Sequence, residues 1–235
     1  MSPTDIRAMI LAAGRGERMR PLTDHCPKPL LKVGDQSLIE WHLSHLAKAG
    51  FREIVINHAH LGMLIEQALG DGSRWGLRIR YSAEAQALET AGGIRHALPL
   101  LGDDPFVVVN GDIFSDFDMH RAHDAAKRLR SGPSKVWCVL VDNPTHHPEG
   151  DFSLVNGRLS ESGLARLTFS GIGAYRPVLF GAIEPGQTAR LAPIIRQAIA
   201  EGAAEGEHHR GRWVDVGTPA RLAELDAQLR SSAME

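Results

Sequence analysis

Cysteine is scarce in this chain of 235 residues: Cys26 and Cys138 are the only two, far apart and without a Cys-x-x-Cys spacing. A disulfide scaffold is therefore excluded, and free thiols in a reducing cytoplasm are expected. Charge of one sign is lacking as well, the formal net charge being −2, so there is no electrostatic footprint for nucleic acid or for an anionic membrane. No apolar run approaches the roughly 18 residues of a membrane span, and residues 1–20 carry no signal-peptide pattern. Two phosphate-binding signatures are missing too. No Gly-Lys-Ser/Thr follows Gly16, which excludes a Walker A loop, and position 19, where a dinucleotide fingerprint needs its third glycine, is Met19. The twelve histidines contain no His-x-x-x-His and no Cys/His constellation; His146-His147 and His208-His209 are adjacent pairs whose side chains point apart, so zinc is not expected. There is no Gly-x-Ser-x-Gly elbow for a serine nucleophile.

What is present is a regular alternation of apolar runs and helical patterns. Strands are predicted over 7–12, 53–57, 77–81, 106–110 and 135–141, and helices over 37–49, 61–69, 90–98 and 118–129. The first helix has Ile39, Leu43 and Leu46 on one face, Asp35 or Ser37 as N-cap and Gly50 as its stop. Phe106-Val-Val-Val109 is apolar throughout rather than alternating, as expected of a strand covered on both faces. The pattern predicts an α/β fold with a Rossmann-like, mostly parallel, doubly wound sheet. After Asp142 the rhythm changes. A turn-rich stretch, 142–151, leads to short strands at 152–155 and 168–175, a helix over 191–200 and a last helix from Pro219. This half is read as a small antiparallel extension packed on the first sheet and forming the other wall of a cleft. One domain over 1–235 is expected, with residues 7–141 and 142–235 as its halves; no hexapeptide array follows, so no fused acyltransferase is expected.

Four stretches can carry chemistry. A strand ending in Leu11-Ala-Ala-Gly-Arg-Gly-Glu-Arg18 is followed by Pro27-Lys28-Pro29. Small residues let a backbone approach phosphates, cations neutralise them, and ligands of open α/β sheets sit at the carboxyl ends of strands. Asn110-Gly-Asp112 places a carboxylate just past a buried strand, and Trp213-Val-Asp-Val-Gly-Thr218 repeats that grammar with Asp215. Two such aspartates can share one hard cation such as Mg²⁺. Glu89-Thr-Ala-Gly-Gly93 opens a helix with two glycines that would bring backbone against a nucleobase or simply pack a turn.

Taken in order, these motifs resemble the sugar-1-phosphate nucleotidyltransferases, over residues 7 to about 222. Within that family the chain is similar to the branch of small bacterial N-acetylmuramate-1-phosphate uridylyltransferases, through Ile56-Asn-His58, Gly70-Asp-Gly-Ser-Arg74, Asn143-Pro-Thr-His-His147, Gly150-Asp-Phe152, Leu167-Thr-Phe-Ser-Gly171 and Gly206-Glu-His208. The resemblance implies a nucleotide-diphospho-sugar transferase fold, UTP and a sugar 1-phosphate as substrates, Mg²⁺ as cofactor, and UDP-N-acetylmuramate and pyrophosphate as products in peptidoglycan precursor recycling. It implies that Ala12, Ala13, Gly14, Gly16, Glu17, Arg18, Lys28 and Gly92 bind the nucleotide, with Arg18 and Lys28 catalytic. Asp112 and Asp215 would hold the metal, and Asn110, Gly150 and Glu161 would line the sugar pocket. In 83–87, where relatives often carry Gly or Pro, either Glu84 or Gln86 is placed near the base. A lactyl carboxylate on the sugar calls for a cation, with Arg158, Arg166 and Arg176 as candidates. Other substrates stay open at this point: a mannose-1-phosphate guanylyltransferase, a glucose-1-phosphate thymidylyltransferase, a phosphocholine cytidylyltransferase or a non-catalytic nucleotide-sugar sensor.

Overall fold

The computed structural model describes residues 5–163 and 165–232. In chain order the elements are β1 (Ala8–Leu11), β2 (Lys32–Val33), β3 (Gln36–Ser37), α1 (Leu38–Lys48), β4 (Glu53–His58), α2 (Gly62–Leu69), β5 (Arg78–Ala83), α3 (Glu89–Leu101), β6 (Phe106–Asn110), β7 (Ile113–Ser115) and α4 (Met119–Leu129). The second half adds β8 (Val136–Val141), β9 (Phe152–Val155), β10 (Arg158–Ser160), β11 (Arg166–Tyr175), α5 (Leu191–Ala200), β12 (Ala204–His209), β13 (Trp213–Asp215) and α6 (Pro219–Ser232).

A nine-stranded sheet runs β5-β4-β1-β6-β11-β8-β12-β10-β9. Strands β5, β4, β1 and β6 are parallel, β11 is antiparallel to both β6 and β8, and β12 runs parallel to β8. The antiparallel pairings expected after residue 142 are present, but they continue the first sheet edge to edge instead of packing on its face. The reason is the open edge of β6: its backbone donors and acceptors need a partner, and β11 supplies it over 172–175.

Successive residues of the central strands feed opposite cores, as period-2 geometry requires. Ala8, Ile10, Val107 and Val109 face α1, α2 and α4, whereas Met9, Phe106 and Val108 face α3 and α5. This double burial explains the unbroken apolar run of β6. The α1 start follows its sequence signal: the Glu40 carboxylate accepts from the Ser37 N–H at 2.9 Å and from its hydroxyl at 2.7 Å. Gly50, at φ +87°, closes the helix. A third, smaller core of Val33, Leu38, Phe114, Val216 and Leu225 seats a two-stranded ribbon, β13 on β7, and α6 against α1. That ribbon turns out to matter for the site. Among the described residues no helix is long and apolar enough to cross a membrane.

Candidate active site

The carboxyl ends of β1 and β6 open into a cleft of about 470 Å³, the size of a small-ligand site. Ala12, Ala13, Gly14, Gly16, Glu17 and Arg18 form one wall, and Lys28, Asn110 and Asp112 the floor. Two glycines make this possible. Gly16 adopts φ +69°, which folds the loop back so that a Cβ there would sit 3.0 Å from Thr23 Cγ2 and 3.3 Å from Lys28 Cβ. The Thr23 hydroxyl locks this fold by donating to the Gly16 carbonyl at 2.9 Å. Gly111 lets the end of β6 close on β1, its N–H donating to the Leu11 carbonyl at 2.9 Å where a Cβ would lie only 2.6 Å from that oxygen.

Lys28 is buried in a short 3-10 turn between its prolines, and its ammonium lies 2.6 Å from Asp112 Oδ2. A buried ammonium needs such a partner, because desolvation of an unpaired charge is costly. Of the loop's cations, Arg15 is tied to Glu17 at 2.6 Å and Arg20 to Asp24 at 2.7 Å, whereas Arg18 faces the cleft.

Asp215 comes up beside the cleft from the other half; it does not line the cleft itself, but Gly217, two residues on, does. Asp215 is the rung partner of Ile113, and the Val216 N–H donates to the Asp112 carbonyl at 3.0 Å. Asp112 stands in the turn that leads into β7, so the backbones of the two aspartates are adjacent, with Cα atoms within about 7 Å. Asp215 Oδ2 takes Arg221 Nη1 at 2.8 Å and lies 3.3 Å from His146 Nε2. Arg221 arrives because Thr218 starts α6 and accepts from the Arg221 N–H at 3.4 Å. Over Gly217, a cleft residue, the point a Cβ would take is 2.6 Å from Arg221 Nη2 and 3.1 Å from Arg18 Nη2. Two guanidinium groups from opposite halves therefore converge at the cleft rim, an arrangement suited to a polyanion. Beneath, on α1, His42 is held neutral: burial, then His45, pushes its imidazole down to about 4, against the Ile113 carbonyl and Asp112. At neutral pH it therefore adds no further cation to Arg18, Lys28 and Arg221.

Three expected residues are placed elsewhere. Gly92 packs instead of lining the cleft: its N–H donates to the Ala189 carbonyl at 3.1 Å, and a Cβ would meet the Gln187 carbonyl at 2.4 Å. Gly150 is a turn residue at φ +61° wedged against Asn143 and Arg166, on the loop that carries His146. Glu161 is committed to a surface ion pair with Arg196 on α5 at 2.6 Å. Neither Gly150 nor Glu161 lines the cleft. Glu84 points inward, bonded to Asn57 Nδ2 at 2.6 Å, and Gln86 does not line the cleft; Ala87, Glu89 and Thr90 do. Arg158 donates to the Gly202 carbonyl at 2.7 Å and Arg166 to that of Asp151, and Arg176 does not line the cleft either. The cation at the rim is Arg221, which the sequence reading did not single out. Its signal was positional: three residues past the Thr218 helix start, on the turn that follows Asp215.

Comparison with known proteins places this geometry. The chain is 55% identical to the N-acetylmuramate alpha-1-phosphate uridylyltransferase of Neisseria meningitidis serogroup B, covering 94% of this chain and 97% of that protein. It is 35% identical to the protein of the same name from Caulobacter vibrioides, covering 97% and 99% of the two chains. A crystal structure of a candidate glucose-1-phosphate thymidylyltransferase from Bacillus anthracis, in complex with sucrose, superposes with a TM-score of 0.84 at 21% identity, over 96% of this chain and 95% of that one, and so shares the fold. The model of the nucleotidyl transferase family matches residues 7–152, the segment that carries the glycine loop, Lys28 and Asp112. With its cleft built from that segment and its relatives matched end to end, the chain is a member of the nucleotidyl transferase family, an enzyme of the nucleotidyltransferase class.

Proposed function

We propose that this enzyme joins UTP and N-acetylmuramate 1-phosphate to give UDP-N-acetylmuramate and pyrophosphate, in the cytoplasm and in the recycling of peptidoglycan precursors. The observation that carries it is the cleft in which Arg18, Lys28 and Asp112 meet, with Asp215 held beside it by the Val216 N–H bond to the Asp112 carbonyl. The names of the Neisseria and Caulobacter relatives support the choice of base and sugar. In this reading residues 7–141 bind the nucleotide and 142–235 complete the sugar side.

The chemistry is attack by a sugar-phosphate oxygen on the α-phosphorus of the triphosphate. Nucleophile and target are both anions, so repulsion is the first obstacle. The nucleophile needs no general base, since a phosphate monoester with a second pKa of about 6 is largely deprotonated at pH 7. Lys28, prepositioned by its flanking prolines, draws the sugar phosphate toward the α-phosphate, and Arg18 stabilises charge on the phosphates undergoing exchange. Ala12, Ala13, Gly14, Gly16 and Glu17 form the wall along which the triphosphate lies, and Asn110 contacts the sugar. Asp112 and Asp215 would hold Mg²⁺. They fit it: two hard oxygen donors on adjacent backbone segments, each paired with a cationic side chain, leave other positions for water and phosphate oxygens. Held by these two carboxylates, the ion would supply Lewis-acid withdrawal of charge from the phosphate oxygens. Aligning the two substrates in one cleft is worth about 7–11 kcal/mol of the barrier. Arg221, at the rim, is the cation for the lactyl carboxylate.

The test is pyrophosphate release from a panel of four nucleoside triphosphates against N-acetylmuramate, N-acetylglucosamine, glucose and mannose 1-phosphates and phosphocholine. Highest kcat/KM with UTP and N-acetylmuramate 1-phosphate is expected. Preference for another pair overturns the substrate assignment, and tight nucleotide binding without pyrophosphate from any pair overturns turnover itself.

A further inference from the structure

A buried polar relay connects the two walls that the nucleotide must lie between, and no step above uses it. Asn57, at the carboxyl end of β4, is 2% exposed, and Glu84, just past β5, is 7% exposed. The Asn57 Oδ1 accepts from the Ala12 N–H at 3.0 Å, which fixes the first residue of the glycine loop. The Asn57 Nδ2 donates to Glu84 Oε1 at 2.6 Å, and Glu84 Oε2 accepts from the Leu88 N–H at 3.0 Å. Glu84 is itself anchored, its N–H donating to the His58 carbonyl at 2.8 Å.

The far end of the relay holds a strained segment. Glu89, next to Leu88, adopts φ +61°, an unfavourable conformation for a residue with a Cβ, and Glu89 and Thr90 both line the cleft. Such a conformation persists only where its surroundings over-determine it. Here the Leu88 N–H bond to Glu84 holds it from one side and the Ala91 and Gly92 N–H bonds to the Ala189 carbonyl from the other. The double glycine of α3 is explained by the same packing. A Cβ on Gly93 would lie 2.8 Å from both Asn57 Nδ2 and Glu84 Oε1, so only glycine lets the helix cross the relay.

We propose that Asn57 and Glu84 are positioning residues for the nucleoside triphosphate: one buried amide–carboxylate pair sets the spacing between the glycine loop at Ala12 and the Leu88–Thr90 wall. The inference rests on the reading that the cleft takes the triphosphate. Each of the four side-chain polar atoms of the pair has a hydrogen-bond partner, so its polarity can be reversed. Asn57→Asp alone sets two carboxylates face to face, and Glu84→Gln alone turns an amide N–H toward either Asn57 Nδ2 or the Leu88 N–H. Combined, the two changes restore complementarity: the new amide donates to the new carboxylate, and its oxygen accepts from Leu88.

The experiment is steady-state kinetics with both substrates varied, alongside calorimetric binding of UTP. Each single variant is expected to raise the nucleotide KM and Kd by about 10- to 100-fold, the range for misplacing a binding group, with the sugar-phosphate KM within about threefold. The double variant should return the nucleotide KM to within about threefold of the parent. Gly93→Ala, which crowds the relay without changing its chemistry, should reproduce the selective rise if a single variant does not fold. A fall in kcat with both KM values unchanged, an equal rise in both, or a double variant no better than the worse single overturns the relay. A parent protein that binds no nucleoside triphosphate overturns the reading of the cleft instead.

Discussion

Asp112 stands two residues past a strand buried on both faces, whereas Asp215 ends a three-residue strand seated on the small core of Val33, Leu38, Phe114, Val216 and Leu225. The first is placed by the backbone of the main sheet, through β1 and the Gly111 contact, and its side chain is still 40% exposed with Lys28 as its ion-pair partner. The second is placed by side chains: it is 23% exposed and held by Arg221 from α6 and His146 from the 142–151 loop. One side of the cleft is therefore rigid by construction. The other is assembled from contacts that span 75 residues in the chain, between His146 and Arg221. Lys28 and Arg18 sit on the side placed by backbone, and Arg221 on the side placed by side chains.

If both carboxylates serve one cation, the contrast in how they are placed should vanish in catalysis. Asp112→Asn and Asp215→Asn are each expected to lower kcat by about 1,000-fold, the scale for removing a preorganised charge at the reacting groups. Thermal melting should move little for Asp215→Asn, whereas Asp112→Asn should also melt lower because it leaves the buried Lys28 ammonium without its carboxylate. Wild-type rates in either variant at saturating Mg²⁺ reject that residue as a ligand.

The next effect separates the two sides by acid. Burial holds the His42 imidazole near 4, so between pH 6.5 and 4 the unfolded chain takes a proton that the folded one refuses. Stability contributed by this residue is present above pH 6.5 and is lost as pH falls through that window, by on the order of 3 kcal/mol. Denaturant melts of metal-free protein should show it, and His42→Leu should flatten the slope relative to the parent. Equal slopes in the two proteins would mean that α1 does not exclude the proton.

Lys28→Ala comes third. It should lower kcat/KM for the sugar phosphate by about 100-fold, or about 2.7 kcal/mol, while leaving melting nearly unchanged, because Asp112 is exposed enough to stay hydrated without its partner. A collapse of melting would make Lys28 a structural residue.

The same division explains how much of the molecule the letters disclosed. Residues 7–12, 37–49 and 106–112 are legible because strand, cap and turn signals are local: Ser37 and Glu40 are three apart, and Phe106-Val-Val-Val109 announces burial on both faces. Strand β12 was not legible. Ala-Glu-Gly-Glu-His-His is too polar to suggest a strand, and it forms one because β8 offers it six consecutive parallel rungs. Glu84 is one of two alternatives for the base in the sequence, with Gln86, because nothing local tells that its partners are Asn57 and the Leu88 N–H. Gly92 and Gly93 read as open backbone, yet each is glycine because something packs on it: the 187–189 segment on one and the Asn57–Glu84 pair on the other. Arg221 and His146 acquire meaning only when the ribbon brings Asp215 beside them.

The smallest expected effect probes that last cluster. The Asp215 carboxylate is balanced by Arg221 at 2.8 Å, so a divalent ion would compete with a guanidinium for the same oxygen. Asp112 is balanced in the same way by Lys28 at 2.6 Å. Removing a ligand weakens metal binding, but removing a competitor strengthens it, and the two roles thus predict opposite signs. Arg221→Ala is expected to tighten Mn²⁺ binding a few-fold in the absence of nucleotide, read from the free-ion electron paramagnetic resonance signal, because an ion pair still partly open to water, its side chains 21% and 23% exposed, is worth about 1 kcal/mol. The same variant should weaken use of a sugar phosphate that carries a carboxylate more than one that does not. Weaker Mn²⁺ binding would show instead that Arg221 orients Asp215 for the ion, and the side of the cleft placed by side chains would then be as preorganised as the rigid one.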